Sequence, residues 1–245
     1  MAQRIRLVYG IIFALSLPVL LLATNLRYIA SNPKFYEAGF KKYQVAEWTG
    51  ITPVELNRVA QELIDYFGSQ RETPQIQVKI YGETEGLFSP EEVIHLEDIK
   101  GLLELNRRVW LAALAVSLGY IAFLVARWRG QVWLSLAWAT LSGSLLTLSL
   151  GLVLAAALAL DFDWLFLQFH LVSFSNSFWQ LTCPQDRLAC LFQPGFFYDS
   201  SKLLAGAVAT EALILGALAG TYLWWRRYKG DKRKGILTST SEERT

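Results

Sequence analysis

The sequence predicts a mainly α-helical membrane protein, with four transmembrane helices and an extracytoplasmic cap of mixed α/β structure. Of its 245 residues, 53% are hydrophobic and only 18% are charged, against roughly 25% charged residues in soluble domains. The apolar residues are also gathered into segments of about 20, the length that crosses a bilayer. This composition excludes a disordered or collagen-like chain and disfavours a simple soluble enzyme. The net charge of only +2 indicates no nucleic-acid partner.

Four apolar segments are each long enough to cross the roughly 30 Å hydrocarbon core. We assign the first span to residues 1–23, the second and third spans with a short loop to 109–160, and the fourth span to 203–225. The first segment could instead be a cleaved secretory signal. Since no small-x-small cleavage site follows it, we interpret it as an uncleaved signal anchor.

Basic residues near the span ends predict the orientation. One side carries Arg4, Arg6, Arg127, Arg129 and the basic tail 226–245. The opposite side holds two larger segments, 24–108 and 161–202, which contain 12 basic and 17 acidic residues. We therefore expect both termini to be cytoplasmic and both larger segments to be extracytoplasmic.

The first outer segment, 24–108, is too long to be unstructured. Residues 52–55 combine a threonine N-cap, a proline at the first helical position and a capping-box glutamate, and Gly68 is a suitable end for that helix. Alternating apolar residues predict a strand over 76–80, and Ser89 opens a second helix. These elements form the predicted α/β cap.

The helix that begins at Ser89 determines how far His95 lies from the membrane. If it ran unbroken into the second span, His95 would stand about 20 Å above Val109 at 1.5 Å per residue. That height is too great to meet an ester at the level of the lipid carbonyls. We therefore expect a bend or break between Gly101 and Arg108.

The second outer segment, 161–202, is dense in aromatic residues, with ten Phe and Trp side chains between positions 161 and 198. A soluble loop would not expose so much aromatic area. We expect this segment either to insert shallowly among the lipid headgroups or to pack beneath the cap. It also holds both cysteines, Cys183 and Cys190, which are candidates for a disulfide, for two unpaired thiols or for an acyl-carrying nucleophile.

The chain has two histidines, His95 and His170, one in each outer segment. Each could be a hydrogen-bonded structural residue. However, imidazole is the general base best matched to neutral pH, and both residues are predicted on the same face of the membrane. Helical spacing brings Glu91, Glu92 and Asp98 within reach of His95 as orienting groups.

Other chemistries find little support in the sequence. It contains no G-x-S-x-G elbow, no H-E-x-x-H pair and no glycine-rich phosphate loop, so we expect neither a metal site nor a cofactor. Glu211 lies within the fourth span, where it is either functional or bonded to polar residues of the third span. Gly216 and Gly220 indicate close helix packing.

Two motifs resemble those of a known family. Residues 92–100 are similar to the pattern E-x-x-H-[LM]-x-D-[VI]-K. Residues 169–197 resemble a second pattern, F-H-x-x-x-F-x-N-x-x-W followed by an Asp and a final F-F, through Phe169, His170, Phe174, Asn176, Trp179, Asp186, Phe196 and Phe197. Both belong to a family of four-span bacterial membrane proteins that includes the lipoprotein intramolecular transacylases.

The resemblance implies an acyltransferase in the bacterial inner or plasma membrane, acting on a membrane lipid or a diacylglyceryl lipoprotein. An acyl chain would move from the sn-2 ester of a diacylglyceryl-cysteine to its α-amino group. His95 would be the base and His170 its acid or oxyanion partner. Glu92 and Asp98 would orient, whereas Lys100, Asn176, Trp179 and Asp186 would bind substrate.

The chain departs from the family at Cys183-Pro184, where Asp-Pro is common, and at Gly195, where an acid is common. A non-catalytic accessory or assembly protein on the same scaffold is the alternative hypothesis, and a lipid hydrolase that uses the same histidines is a third.

Overall fold

The computed structural model describes residues 2–80 and 83–242, which are mainly helical. Within this part of the chain, four helices are long and apolar enough to cross a membrane: Arg4–Ala30, Pro90–Arg127, Arg129–Leu160 and Pro194–Gly230. A two-stranded antiparallel sheet accompanies them, with Val78 opposite Glu85. The predicted fold class is therefore confirmed.

The regular elements stand in the following order along the chain. They are α1 (Ala2–Ala30), α2 (Pro33–Lys42), α3 (Val45–Thr49), α4 (Pro53–Gly68), β1 (Gln77–Ile80), β2 (Glu83–Gly86), α5 (Pro90–Arg127), a 3-10 turn (Arg129–Gln131), α6 (Val132–Leu160), α7 (Phe162–Ser173), α8 (Arg187–Leu191) and α9 (Pro194–Glu242). The basic tail belongs to α9 as far as Glu242, and residues 243–245 lie outside the described part of the chain.

The chain divides into two compact units. The first, here called the span unit, comprises Met1–Leu22, Trp110–Leu152 and Ala207–Thr245. The second, here called the site unit, comprises Ala23–Val109 and Val153–Gly206. Each of the four long helices contributes a segment to both units.

Helix packing in the span unit depends on small residues. A Cβ atom at Gly143 would lie 3.0 Å from the carbonyl oxygen of Ala14 and 2.9 Å from the side chain of Leu17, so α1 and α6 approach closely there. Gly216 similarly faces Ser144. By contrast, a Cβ at Gly220 would meet nothing within 4 Å, so only the first glycine of the G-x-x-x-G pair makes a close contact.

The core of the site unit is apolar and draws on α2, α4, the sheet, α5, α8 and the start of α9. Its largest fully buried side chains include Leu63, Tyr66, Leu87, Leu96 and Leu191. Burial of such side chains from water is the main stabilising contribution to a unit of this kind.

The predicted helix starts in the site unit are confirmed. The Thr52 hydroxyl oxygen accepts a hydrogen bond from the Glu55 amide at 3.3 Å, which caps α4. At α5, the Ser89 side chain accepts from the Glu92 amide at 3.3 Å, while the Glu92 carboxylate accepts from the Ser89 amide at 2.7 Å. This reciprocal pair is a capping box.

The expected break between Gly101 and Arg108 is wrong. Helix α5 is continuous from Pro90 to Arg127. A glycine inside a helix costs only about 1 kcal/mol, and the following turn is supported by ion pairs of Glu104 with Arg107 at 2.8 Å and with Arg108 at 3.3 Å. Nothing in this stretch therefore favours leaving the helix.

Candidate active site

His95 lies in the second turn of α5 and faces the interior of the site unit. Only 6% of the residue is exposed. Its ring meets the ring of Phe174 edge to face, with centroids 4.9 Å apart. The Nδ1 atom of His95 is buried and has no hydrogen-bond partner among the described residues. A buried polar atom without a partner is uncommon in native structures.

His170 lies in the last turn of α7 and is 7% exposed. Four aromatic rings surround its own, at centroid distances of 4.3 Å for Phe166, 5.4 Å for Phe169, 5.5 Å for Phe174 and 5.0 Å for Trp179. We call these four rings the aromatic cage. The cage keeps water away from the imidazole and places His170 in a medium of low polarity.

The two imidazoles lie together. Their ring centroids are 6.2 Å apart and their planes are inclined by 31°, and Phe174 contacts both rings. Rings at this separation are close enough to act on one reacting centre. Two motifs 75 positions apart in the chain thus meet in one place.

The tautomer of His170 follows from one contact. Its Nδ1 atom lies 2.7 Å from the backbone carbonyl oxygen of Phe166. A carbonyl oxygen can only accept, so Nδ1 carries the hydrogen and the neutral ring has its lone pair on Nε2. Burial lowers the pKa of His170 below its ordinary value, although the hydrogen bond to Phe166 acts in the opposite direction. The ring is therefore uncharged at neutral pH.

Asp98 holds the chain that follows α7. Its carboxylate accepts a hydrogen bond from the Asn176 side-chain amide at 2.8 Å. The side-chain oxygen of Asn176 in turn accepts from the Phe178 amide at 3.0 Å. This pair ties α5 to the segment that carries Phe174 and Trp179, so Asp98 and Asn176 shape the cage rather than bonding an imidazole.

Glu92 is 2% exposed and does not orient His95 through a direct bond. Its carboxylate accepts from the Leu188 amide at 2.6 Å as well as from the Ser89 amide. The helical spacing of the sequence could not reveal the Leu188 contact, because that amide comes from α8. Glu92 thus anchors the first turn of α5 to α8.

Lys100 and Asp186 contact groups other than the two imidazoles. Lys100 donates to the backbone carbonyl of Arg71 and lies over the Tyr66 ring, 4.3 Å from its centroid. It lines a polar groove of about 1310 Å³ on another face of α5. Asp186 accepts from the Thr182 amide at 2.7 Å and serves the turn before α8.

Cys183 and Cys190 form a disulfide bond. It closes a ring of chain that contains Leu188, whose amide donates a hydrogen bond to the Glu92 carboxylate. The ring is also held by an ion pair of Arg187 with Glu85 on β2, at 2.7 Å.

A smaller cavity of about 380 Å³ lies near the other end of α7. Its lining includes Leu158, Phe162 and Tyr198. The ring of Phe162 contacts that of Phe166 at 5.6 Å, and Phe166 contacts His170 at 4.3 Å. One face of α7 therefore forms an aromatic row from this cavity to the histidine pair.

These observations define a helical membrane protein whose two histidines share one buried, aromatic site. A sequence model of the family described as lipoprotein intramolecular transacylase Lit matches residues 11–197. The chain belongs to this family. No curated protein sequence matches the chain.

Solved structures of Lit from Bacillus cereus share the fold. One covers 92% of this chain and 99% of its own, with a TM-score of 0.76 and 16% identity. Two variants of the Bacillus protein, with one histidine replaced by arginine or by alanine, match with TM-scores of 0.71 at 16% identity. They cover 93% of this chain and 96% and 97% of their own lengths.

Proposed function

We propose that this protein moves an acyl chain within a diacylglyceryl lipoprotein at the outer face of a bacterial inner or plasma membrane, with both termini in the cytoplasm. The observation that carries the proposal is the burial of the chain's two imidazoles in one site, 6.2 Å apart. Family membership supports the reaction class, and the four apolar helices support the membrane location.

The reaction is an exchange of bonds within one molecule. The α-amino nitrogen of the lipidated cysteine attacks the carbonyl carbon of the sn-2 ester. A carbon–nitrogen bond forms, the carbon–oxygen bond to glycerol breaks, and one proton passes from the amine to the departing glycerol oxygen. Because both reactants are tethered, correct positioning supplies much of the rate.

His170 is the better placed base, which reverses the roles that we assigned from sequence. Its Nδ1–H is committed to the Phe166 carbonyl, so Nε2 offers a lone pair to the substrate. Since burial lowers the pKa of His170, this lone pair is unprotonated at neutral pH. An α-amino group has a pKa near 8, so a base that removes its proton makes it nucleophilic.

His95 is then the hydrogen-bond donor. A buried N–H without an acceptor is costly, and the Nδ1 atom of His95 has no partner among the described residues. The tautomer with its hydrogen on Nε2 is therefore favoured. That N–H can stabilise the oxyanion of the tetrahedral intermediate, while the proton that His170 takes from the amine passes to the departing glycerol oxygen.

The aromatic cage favours transfer to nitrogen over hydrolysis. Water that reached the ester would compete with the amine, and the rings around His170 limit its access. The cavity beside Phe162 is lined in part by Leu158, Phe162 and Tyr198, and these side chains could hold part of an acyl chain. A non-catalytic accessory protein would have no need of two facing, buried imidazoles.

The test is to express the protein in bacteria that lack N-acylating enzymes and to fragment lipoprotein N-terminal peptides in a mass spectrometer. The product has the same total mass as the substrate, so the fragments must show whether the acyl chain is on nitrogen. We expect N-acylation with the wild type and its loss with His95→Ala and His170→Ala. Trp48→Ala, at a position 57% exposed on α3, is the control and should retain it.

Two results would overturn the proposal. A free α-amine in every sample would favour the accessory protein. A free α-amine together with loss of one acyl chain from glycerol would instead identify a lipid hydrolase.

A further inference from the structure

Helices α4 and α7 both lie on the surface of the site unit, but their exposed faces differ in chemistry. The exposed residues of α4 are mostly polar or charged, including Asn57, Arg58, Gln61 and Asp65. Five of the six exposed residues of α7 are large and apolar; they are Trp164 (55%), Leu167 (42%), Phe169 (53%), Leu171 (55%) and Val172 (87%). The sixth is Asp163, in the first turn.

The outer face of α7, defined by these five apolar residues, has the composition of a surface that meets hydrocarbon. Soluble surfaces rarely expose a contiguous apolar patch of this kind. The preceding helix, α6, is one of the four apolar helices and ends at Leu160, only two residues before Phe162. The patch therefore continues directly from a membrane-spanning segment along the chain.

Phe169 connects this outer face with the candidate active site. Its ring packs against that of His170, with centroids 5.4 Å apart, and 53% of the residue is exposed. The other three rings of the aromatic cage are buried or half-buried. A molecule arriving at the outer face of α7 would therefore meet Phe169 immediately before His170.

We propose that acyl chains of the surrounding bilayer cover the outer face of α7, and that the lipid-linked substrate reaches the histidine pair from the bilayer past Phe169. The nature of that substrate rests on the proposed function, whereas the lipid contact of α7 does not.

The lipid contact is tested with the full chain in phosphatidylcholine vesicles. Both native cysteines are bonded, so a fluorophore can be attached to a single new cysteine. Val172→Cys is compared with Val54→Cys, because these valines are 87% and 81% exposed on α7 and α4. We expect nitroxide-labelled lipid to quench the probe at position 172, and aqueous iodide to quench the probe at position 54. Iodide quenching at both positions with no lipid quenching at 172 would overturn the proposal.

The route past Phe169 is tested by transacylation kinetics. Phe169→Trp narrows the passage and should lower kcat/KM about tenfold, which corresponds to about 1.4 kcal/mol in the barrier. Phe169→Ala widens it but removes one ring of the aromatic cage, so kcat/KM for total substrate consumption, N-acylated plus hydrolysed, should fall clearly less than in Phe169→Trp. A purely structural role would slow both variants equally. Trp48→Ala is the exposed aromatic control and should match the wild type.

Two outcomes would overturn the route: equal losses in both Phe169 variants, or no change in either. If the wild type itself gave no transacylation, the proposed function would fail. The quenching result would still decide whether α7 contacts lipid.

Discussion

The carboxylate of Glu92, on α5, accepts a hydrogen bond of 2.6 Å from the backbone amide of Leu188, on α8. The same carboxylate accepts from the Ser89 amide, so one buried side chain satisfies two backbone donors in two distant parts of the sequence. Because His95 is one helical turn beyond Glu92, this contact fixes the helix end that carries the first imidazole.

Glu92→Ala should therefore destabilise the protein substantially. It leaves two backbone donors without an acceptor, and each costs about 1–3 kcal/mol where water cannot replace it. The thermal unfolding midpoint in detergent measures the effect. Glu91→Ala is the matched control, because Glu91 occupies the same helical turn but is exposed. Similar losses in the two variants would contradict this account of Glu92.

The stability of the protein should depend on pH through His170. Burial lowers the pKa of the folded His170 below 6.5, while the unfolded side chain titrates at its ordinary value. As the pH falls below 6.5, the unfolded chain binds more protons than the folded one, so stability decreases. His170→Phe removes this titrating side chain, so the unfolding midpoint should change less between pH 7.5 and 5.5. Parallel curves would show that His170 is not protected from protonation.

The lowered pKa of His170 should also determine the pH below which the activity declines. If Nε2 of His170 is the base, kcat should decline only as the pH falls below 6.5, since protonation of the folded ring requires more acid than usual. Single-turnover rates of N-acylation across pH 5 to 8 measure this limb. A decline that begins well above pH 6.5 would argue against His170 as the base.

The hydrogen bond between Asp98 and Asn176 predicts that a second substitution should recover stability and N-acylation lost in the first. Asn176→Asp places two carboxylates in contact and should lower both stability and N-acylation. Combining it with Asp98→Asn restores one donor and one acceptor and should recover much of the loss. The aspartate at 176 can still accept from the Phe178 amide, as Asn176 does. A double variant as impaired as Asn176→Asp would show that the hydrogen bond does not position this segment.

Reduction of the disulfide should also be measurable. A bond that closes a ring of this size contributes about 2.5 kcal/mol in the chain-entropy account, and here the ring includes Leu188, the donor to Glu92. Dithiothreitol should lower the unfolding midpoint of the wild type towards that of Cys183→Ser/Cys190→Ser. The double variant is the control, because its midpoint should not respond to the reductant.

Local patterns predicted three regular elements of the site unit: α4, β1 and the start of α5. The capping signals at Thr52 and Ser89 gave the starts of α4 and α5, and alternation of apolar residues gave β1. Helix α7 was not predicted, because its residues are apolar on almost every side and so show no helical period. One signal was present: Asp161 accepts from the Trp164 amide at 2.9 Å, an N-cap that the spacing permits.

The histidine pair could be anticipated because the chain has no other imidazole. The roles of its neighbours could not. Helical spacing placed Glu92 within reach of His95, but two backbone amides bind that carboxylate instead, and one of them comes from a distant helix. Lys100 matched the motif, yet its ammonium group lies over Tyr66. Spacing along one helix predicts which side chains of that helix lie close together. It does not predict tertiary contacts with other segments, and those contacts determine the hydrogen bonds that form.

Because Nδ1 of His170 donates to the Phe166 carbonyl oxygen, only Nε2 of the ring is available to exchange protons with a substrate. A ring held in this way cannot turn over to present its other edge without breaking that contact. A proton taken up at Nε2 must therefore leave from Nε2. In the proposed transfer, the attacking amine and the departing oxygen must therefore contact Nε2 of His170 one after the other. This is easiest when both belong to one small, folded-back headgroup.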